Sequence, residues 1–336
     1  MRKRYSIIFF MLIIILGACS GNKEANTENG KENASKAIEL DLSHVLTEDS
    51  SFHAAAKKLS ELVEERTSGE IKIKIFPAGQ LGGEVQSIQA ARNGNQDIII
   101  TGTPALTATA PEFLALDLPY LFENIDEANG FLQGSSGEAL LSGLSKYGLV
   151  GLGFNSALER NVFSKKPVKN LDDFKNLNIR VVQSDGYINA YNSLGAQPTP
   201  MPYSEVYLSL QQGVIDAGEA AADTMITDKF MEVSSHYNLT KSHFYPVVLL
   251  MSEKSMEKLS KGQQEIIKQS AKEATQTGIE YYKDSYKKSL EILKEEGIEI
   301  VETDMDSFKK ATQGLRDEFI KNNPNLSPDL VELIKK

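Results

Sequence analysis

The chain has 336 residues, with 46 Asp and Glu against 36 Lys and Arg, so its formal net charge at pH 7 is -10. An acidic chain without a basic run argues against a nucleic-acid-binding surface. Its single cysteine excludes an intrachain disulfide and a cluster of thiolate metal ligands.

The first 36 residues have the composition of export and tether segments. Arg2, Lys3 and Arg4 precede an apolar run at 7–16, which is shorter than the roughly 20 residues that span a bilayer. The LGAC sequence ending at Cys19 predicts a lipoprotein signal peptide at 1–18, with acylation of the Cys19 thiol; the alternative is a leader that happens to contain a cysteine. Residues 19–36 contain almost nothing apolar and are predicted to be a flexible tether. Removal of the three leading cations takes the formal charge to -13, so an anionic ligand would need a local positive site.

The remaining residues alternate strand and helix patterns, which predicts the α/β class. Strands are predicted at 38–45, 71–75, 97–101, 149–154, 178–182, 246–251 and 298–301, and helices at 51–67, from about 84 to 94 and at 263–296. The last helix would be about 50 Å long, enough to contact two lobes. The length of this part is ample for two lobes, because single cores stop growing near ~250 to 300 residues.

Residues 178–223 carry the most informative pattern. Arg180 interrupts an apolar strand, and a buried guanidinium must be paired, so it requires a carboxylate partner. A helix from about 187 to 194 follows, three prolines then keep the chain extended, and Ser204 is predicted to cap a second helix that Gly213 ends. The polar connections lie at strand ends, where α/β folds bind ligands.

This stretch resembles the solute-binding proteins of TRAP transporters, the extracytoplasmic receptors for C4-dicarboxylates, keto acids and sugar acids. The matching residues are NIRV at 178–181, LGA at 194–196, PTPM at 198–201, SEVYLSLQQG at 204–213 and VIDAGE at 214–219, with further matches at 44–58, 76–84 and 160–168. The resemblance implies a two-lobed periplasmic-binding-protein-like (type II) fold in which the long helix braces both lobes. Lobe 1 would comprise 37–157 plus 246–285, and lobe 2 would comprise 158–245 plus 286–336.

The resemblance also implies the binding residues. Arg180 matches the family arginine that binds the ligand carboxylate through two hydrogen bonds, a geometry that guanidinium favours. Arg160 matches a second arginine beside the same carboxylate. The alternatives are a structural ion pair between Arg180 and the other lobe, and neutralisation of Arg160 by Glu159.

Other candidates have weaker support. Tyr203 matches an aromatic residue against the ligand, or packs in the core; Glu219 would accept hydrogen bonds from ligand hydroxyls, or pair with a lysine. His44, Glu84, Thr101 and Thr103 follow strand ends and face the cleft, or are ordinary loop residues. Many relatives carry Asn after the acid where this chain has Ala220, so Asp223 or Thr224 would have to supply the missing contact, or the ligand lacks the matching group.

The sequence therefore predicts capture of a small organic acid, either a sugar acid such as a uronate or a C4-dicarboxylate, for delivery to TRAP membrane subunits. It predicts an extracytoplasmic protein anchored to the membrane by lipid on Cys19, with no cofactor, no metal site and no nucleic-acid partner. Two S-x-x-K matches, at 255–258 and 285–288, lack the S-D-N and K-T-G motifs of penicillin-binding enzymes, and no H-E-x-x-H occurs. The alternatives are a binding subunit of an ATP-driven importer, a binding subunit of a sensor kinase, and an exported enzyme.

Overall fold

A computed structural model describes residues 37–324 and 326–335. The predicted signal peptide, tether and Cys19 lie outside these residues. Nine strands of the described part form one sheet: β1 Ile38–Ser43, β2 Ile71–Phe76, β3 Ile98–Gly102, β4 Leu149–Ser164, β5 Asn178–Val181, β6 Gln197–Pro200, β7 Ala217–Ala220, β8 His236–Ser252 and β9 Glu299–Val301.

Thirteen helices in the same part of the chain connect and cover these strands. They are α1 Ser51–Arg66, α2 Glu84–Asn93, α3 Thr103–Leu106, α4 Ile125–Gln133, α5 Ser135–Ser142, α6 Leu171–Phe174, α7 Asp185–Ser193, α8 Val206–Gln212, α9 Ala222–Thr227, α10 Glu253–Glu257, α11 Lys261–Glu295, α12 Met305–Asn322 and α13 Pro328–Lys335. Short 3₁₀ segments lie at Pro111–Asp117 (η1), Gly143–Tyr147 (η2), Tyr203–Glu205 (η3) and Phe230–Glu232 (η4).

The strand order is β2-β1-β3-β8-β4-β7-β5-β6, with β9 beside β8. The antiparallel strands β4 and β8 run through both halves of the sheet. On one side Val247 to Met251 of β8 pair with β3, and on the other side Asn161 to Ser164 of β4 pair with β7. The β4–β8 ladder shifts register after the pair Arg160 and His243. Arg160 therefore lies where the two halves of the sheet meet.

The predicted α/β class is confirmed, and the strongly periodic elements lie where the sequence places them. The amphipathic pattern of α1 buries Phe52, Leu59 and Val63, and Ser50 caps the helix. In β2 the alternation of Ile and Lys gives alternating buried and exposed residues. Gly213 ends α8 in the left-handed conformation, with φ of 73°, as predicted.

One local prediction is wrong. Ser204 does not cap α8, because the chain enters that helix through the 3₁₀ turn η3, in which the Glu205 amide donates to the Pro202 carbonyl. Ser204 lies inside this 3₁₀ turn, so Glu205 is the residue that precedes α8, and its side chain does not cap the helix.

The long helix α11 packs against α1 and β4, and also against α9 and β9. It therefore contacts elements of both halves of the sheet, as a bracing helix requires. The last two helices also connect distant parts: Phe308 at the start of α12 contacts Phe174, while α13 buries Leu330, Leu333 and Ile334 in an apolar cluster with Phe113 and Leu132. No helix in the described ranges is both long enough and apolar enough to cross a membrane.

Candidate ligand-binding site

Two buried arginines lie close together at the junction of the two halves of the sheet. Arg160 on β4 is 4% exposed and Arg180 on β5 is 2% exposed. Burial lowers the pKa of Arg180, and the charge of neighbouring Arg160 lowers it further because like charges repel. We refer to Arg160 and Arg180 as the arginine pair.

Arg160 has a carboxylate partner within the chain. Its Nε lies 3.6 Å from Oε1 of Glu219 on β7, and its Nη2 donates to the Glu219 backbone carbonyl. Burial alone would lower the pKa of Arg160, but the Glu219 carboxylate raises it above its ordinary value. Glu159 does not neutralise Arg160; its Oε1 accepts hydrogen bonds from Asn161 and from Tyr286.

Glu219 also contacts a histidine and a tyrosine. Its Oε2 lies 3.4 Å from Nδ1 of His243 and accepts a 2.8 Å hydrogen bond from the Tyr191 hydroxyl. Burial is the largest single influence and would raise the pKa of Glu219, but the Arg160 charge, His243 and the Tyr191 hydrogen bond together outweigh it and lower the pKa. Glu219 forms an ion pair with Arg160 and not with the lysine that was the alternative; its contact with ligand hydroxyls stays a prediction.

Arg180 has no carboxylate partner among the described residues. Its Nε and Nη2 donate to the Met201 carbonyl at 3.2 and 2.8 Å, and its guanidinium lies 5.7 Å from the centroid of the Tyr203 ring. Its Nη1 is buried and forms no hydrogen bond, and no carboxylate of residues 37–324 and 326–335 lies within ion-pair distance. The alternative of a structural ion pair is therefore not realised in this part of the chain.

Glu84 and Tyr245 form the side of the site nearest β3. Glu84 Oε1 accepts from the Gly102 amide at 2.8 Å, from Thr101 at 3.2 Å and from the Tyr245 hydroxyl at 3.1 Å. The Tyr245 ring in turn lies under Arg160, with 4.8 Å between the guanidinium carbon and the ring centroid. The chain makes room for this ring at Gly102, where a Cβ would lie 2.0 Å from the tyrosine hydroxyl.

The other predicted residues divide between the site and the scaffold. Thr103 is fully buried and its hydroxyl has no hydrogen-bond partner among the described residues. His44 packs against Phe52 and His53 of α1, where burial and the neighbouring His53 lower its pKa to about 3. Asp223 accepts from Ser285 of α11 at 3.0 Å, so its carboxylate joins α9 to α11.

A pocket of about 280 Å³ is lined by Tyr203, whose ring centroid lies 5.7 Å from the Arg180 guanidinium. One wall consists of Val45, Thr47, Ala78, Gly79 and Gly83, and the other of Tyr203, Ser204, Tyr207, Thr227, Asp228, Lys229 and Phe230. The two walls approach closely, since a Cβ placed on Gly83 would lie 4.0 Å from Pro202. The arginine pair is buried, and the pocket reaches the Tyr203 ring beside Arg180.

Sequence reasoning missed two aromatic contributors, Tyr187 and His243. Their rings stack at 4.1 Å, and the Tyr187 hydroxyl is buried without a hydrogen bond in the described part of the chain. His243 lies opposite Arg160 on the neighbouring strand, and this position places it in the site. The strand register cannot be read from the sequence before the strands are paired. No group of three or more His, Cys, Asp and Glu side chains within the described ranges is arranged to hold a metal ion.

The chain is similar to a known family of proteins. Residues 42–323 match the profile of the DctP family, described as bacterial extracellular solute-binding protein, family 7. The chain belongs to this family. It is 33% identical over 302 residues to the 2,3-diketo-L-gulonate-binding periplasmic protein YiaO of Escherichia coli K12, covering 89% of this chain and 92% of that protein.

Two solved TRAP periplasmic solute binding proteins have the same fold as this family 7 protein. The one from Polaromonas, bound to D-erythronate, superposes with a TM-score of 0.85 at 28% identity over 88% of this chain and 98% of its own. The one from Sulfitobacter, with bound β-D-galacturonate, gives a TM-score of 0.84 at 29% identity over 88% and 99%. The two-lobed fold and the assignment as an extracytoplasmic solute-binding protein of the TRAP type are thereby confirmed.

Proposed function

We propose that the protein captures the carboxylate of a small hydroxylated organic acid at the arginine pair and delivers the acid to TRAP membrane subunits. The observation that carries this proposal is the buried Nη1 of Arg180, which has no partner among the described residues. A buried charged donor without an acceptor costs several kcal/mol, and a ligand carboxylate would remove that cost. The protein itself performs no catalysis in this proposal.

A sugar acid is favoured over a C4-dicarboxylate by the balance of charges. Arg160 is already paired with Glu219, so Arg180 is left for one carboxylate. The hydroxyls of Tyr187 and Thr103 offer buried polar partners for ligand hydroxyl groups. The relatives noted above that were crystallised with erythronate and galacturonate carry acids of this class.

The lobes are proposed to close on the ligand along the boundaries predicted above, with 37–157 and 246–285 on one side and 158–245 and 286–336 on the other. Glu84, Thr101 and Thr103 then face the arginine pair and Tyr203 across the cleft. The ligand must bind the closed form more tightly than the open form, since only differential affinity shifts such an equilibrium.

The test is a calorimetric titration of the protein, started after Cys19, with D-galacturonate, D-glucuronate, D-erythronate and L-malate. We expect Arg180→Ala to weaken binding by about 2 to 5 kcal/mol, which is tens- to thousands-fold in Kd. Arg66→Ala serves as the matched control, because Arg66 forms a partly exposed ion pair with Glu273 far from the site in sequence. Unchanged affinity in Arg180→Ala would contradict the role of Arg180.

Anchoring by lipid on Cys19 is a separate part of the proposal. It rests on the LGAC sequence that ends a short apolar run after three cations. We expect wild-type protein in the membrane fraction and Cys19→Ser in the soluble extracytoplasmic fraction. Equal membrane retention of both would refute acylation as the anchor.

A further inference from the structure

Asp117, the last residue of η1, is a buried carboxyl group with no cationic partner in the described part of the chain. Its side chain is fully buried, and its Oδ2 accepts a 2.5 Å hydrogen bond from the Ser184 hydroxyl. Its Oδ1 forms no hydrogen bond, and no ion pair reaches it within residues 37–324 and 326–335.

The contact joins two segments that lie on opposite sides of the proposed cleft. Ser184 caps α7 by accepting from the Gly186 amide, and Thr107 at the end of α3 donates to the same serine hydroxyl at 3.5 Å. The backbone of α7 lies directly on Asp117, since a Cβ placed on Gly186 would be 2.5 Å from the Asp117 Cβ. Asp117 thereby holds the first turn of α7 in place.

Helix α7 carries two residues of the ligand site. Tyr187 stacks on His243, and Tyr191 donates to Glu219. A displacement of the first turn of α7 would move both tyrosines relative to the arginine pair. Asp117 therefore acts on the site through α7 without contacting the arginine pair.

The surroundings of Asp117 disfavour its negative charge. Facing titratable groups are Glu219 on β7 and Tyr187 on α7, with His243 of β8 behind the Tyr187 ring. Burial, and to a lesser degree the Glu219 charge, raise the pKa of Asp117 well above its ordinary value, although the Ser184 hydrogen bond opposes this shift. A ligand carboxylate in the same region would add further repulsion against ionised Asp117.

We propose that Asp117 is a positioning residue that binds Ser184 as the neutral carboxylic acid and so fixes α7 in the ligand-binding arrangement. Ionisation of Asp117 places an unpaired charge beside Glu219 and the bound anion, so ligand affinity decreases as the pH rises through the titration of Asp117. This effect on affinity rests on the proposed binding of a carboxylate ligand, whereas the protonation state of Asp117 does not.

The protonation state is tested by carboxyl-carbon NMR of protein labelled at aspartate, with Asp117→Asn used to assign the signal. Spectra are recorded without ligand and with saturating D-galacturonate, because the contact between Asp117 and Ser184 crosses the proposed cleft. We expect the Asp117 signal at the neutral-acid position at about pH 7 when the contact is formed. A signal at the carboxylate position at about pH 7 under both conditions, titrating near the ordinary pKa of 3.8, would overturn the proposal.

Calorimetry with D-galacturonate across about pH 5 to about pH 9 tests the positioning role. Above the pH at which the NMR signal titrates, we expect the wild-type Kd to rise by up to about tenfold per pH unit, and the Asp117→Asn Kd to show no such rise. Asp117→Asn retains wild-type affinity at about pH 6, while Ser184→Ala weakens binding about tenfold. Asp185→Asn, at the exposed position next to Ser184, makes the same carboxyl-to-amide change and serves as the matched control.

Loss of affinity in Asp117→Asn equal to that in Ser184→Ala would show that the charged form is needed, and would overturn the proposal. Failure of every acid in the panel to bind the wild-type protein would count against the proposed function, and the NMR result would still decide the state of Asp117.

Discussion

Glu219 lies between Arg160 and His243, with one carboxylate oxygen toward each, and all three side chains are buried. An ion pair at this depth contributes little net stability when intact, because desolvation offsets the attraction. Its loss is more serious, since the remaining guanidinium would be buried without compensation. The pair therefore fixes Arg160 beside Arg180 at the junction of the sheet.

We expect Glu219→Gln to lower the free energy of unfolding by about 3 to 5 kcal/mol at neutral pH, the usual cost of breaking a buried pair. Because the pKa of Glu219 is lowered in the folded protein, its contribution is present above the ordinary value of 4.5 and is lost as the pH falls through the folded-state value. Urea unfolding at about pH 7 and about pH 4 measures the difference, which should shrink in acid. Equal stability of the two proteins at neutral pH would contradict this account.

At the scale of elements, the contact between α11 and β4 depends on Gly278. A Cβ at this position would lie 1.7 Å from Oδ1 of Asn155, whose amide donates to the Ser51 carbonyl of α1. The glycine therefore allows the long helix to lie directly on the sheet. No larger residue fits without displacing Asn155 or the helix.

We expect Gly278→Ala to destabilise the protein by about 1 to 3 kcal/mol, the usual cost of overpacking a core. The matched control is Gly314→Ala in the interior of α12, where a Cβ meets nothing within 4 Å and the gain in helix propensity should stabilise by about 0.5 to 1 kcal/mol. Thermal unfolding of both variants should give shifts of opposite sign. A neutral Gly278→Ala would show that α11 can move away from the sheet at little cost.

The spacing of apolar residues is sufficient to predict helices and strands in which buried and exposed positions alternate regularly. The helix pattern predicted 263–296, and the structure has Lys261–Glu295. The strand pattern predicted 149–154, whereas β4 continues to Ser164. Its second half contains Glu159, Arg160 and Asn161, a polar run that is typical of a loop. In the folded protein other elements supply their partners, which are Tyr286, Glu219 and Lys241.

The same limit applies to the site. A sequence motif surrounds Arg160 and Arg180, and Glu219 follows one, so these residues could be proposed for the site from sequence alone. Tertiary contacts between β4, β7, β8 and α7 pair Glu219 with Arg160. The same contacts bring Tyr187, His243 and Asp117 nearby. Buried polar residues carry no periodic signal of their own, so sequence patterns alone place them poorly.

At the scale of the whole molecule, the C-terminal helices connect two distant parts of the described chain. Phe308 of α12 packs on Phe174, at 5.1 Å between ring centroids, while α13 inserts Leu330, Leu333 and Ile334 into the cluster around Phe113. Arg316 joins the two contacts by donating to the carbonyls of Tyr120 and Ile334. The end of the chain thus contributes to the core.

We expect truncation after Asn323, which removes α13, to destabilise the protein by on the order of 3 kcal/mol or more, because three buried apolar side chains lose their contacts. Denaturant unfolding measures this loss. A milder test is Leu333→Ala, with an expected cost of about 2 to 5 kcal/mol. Unchanged unfolding after truncation would mean that α13 is an appendage and not part of the core.

The long ladder between β4 and β8 also bears on how the chain reaches its native state. Leu149 pairs with Ser252 and Ser164 with His236, so partner residues are between about 70 and about 100 positions apart. Contacts so distant along the chain must await closure of large loops, and proteins dominated by them fold slowly. A chain that must cross a membrane before it folds gains time from this delay, since its central sheet cannot form until residue 252 has been synthesised.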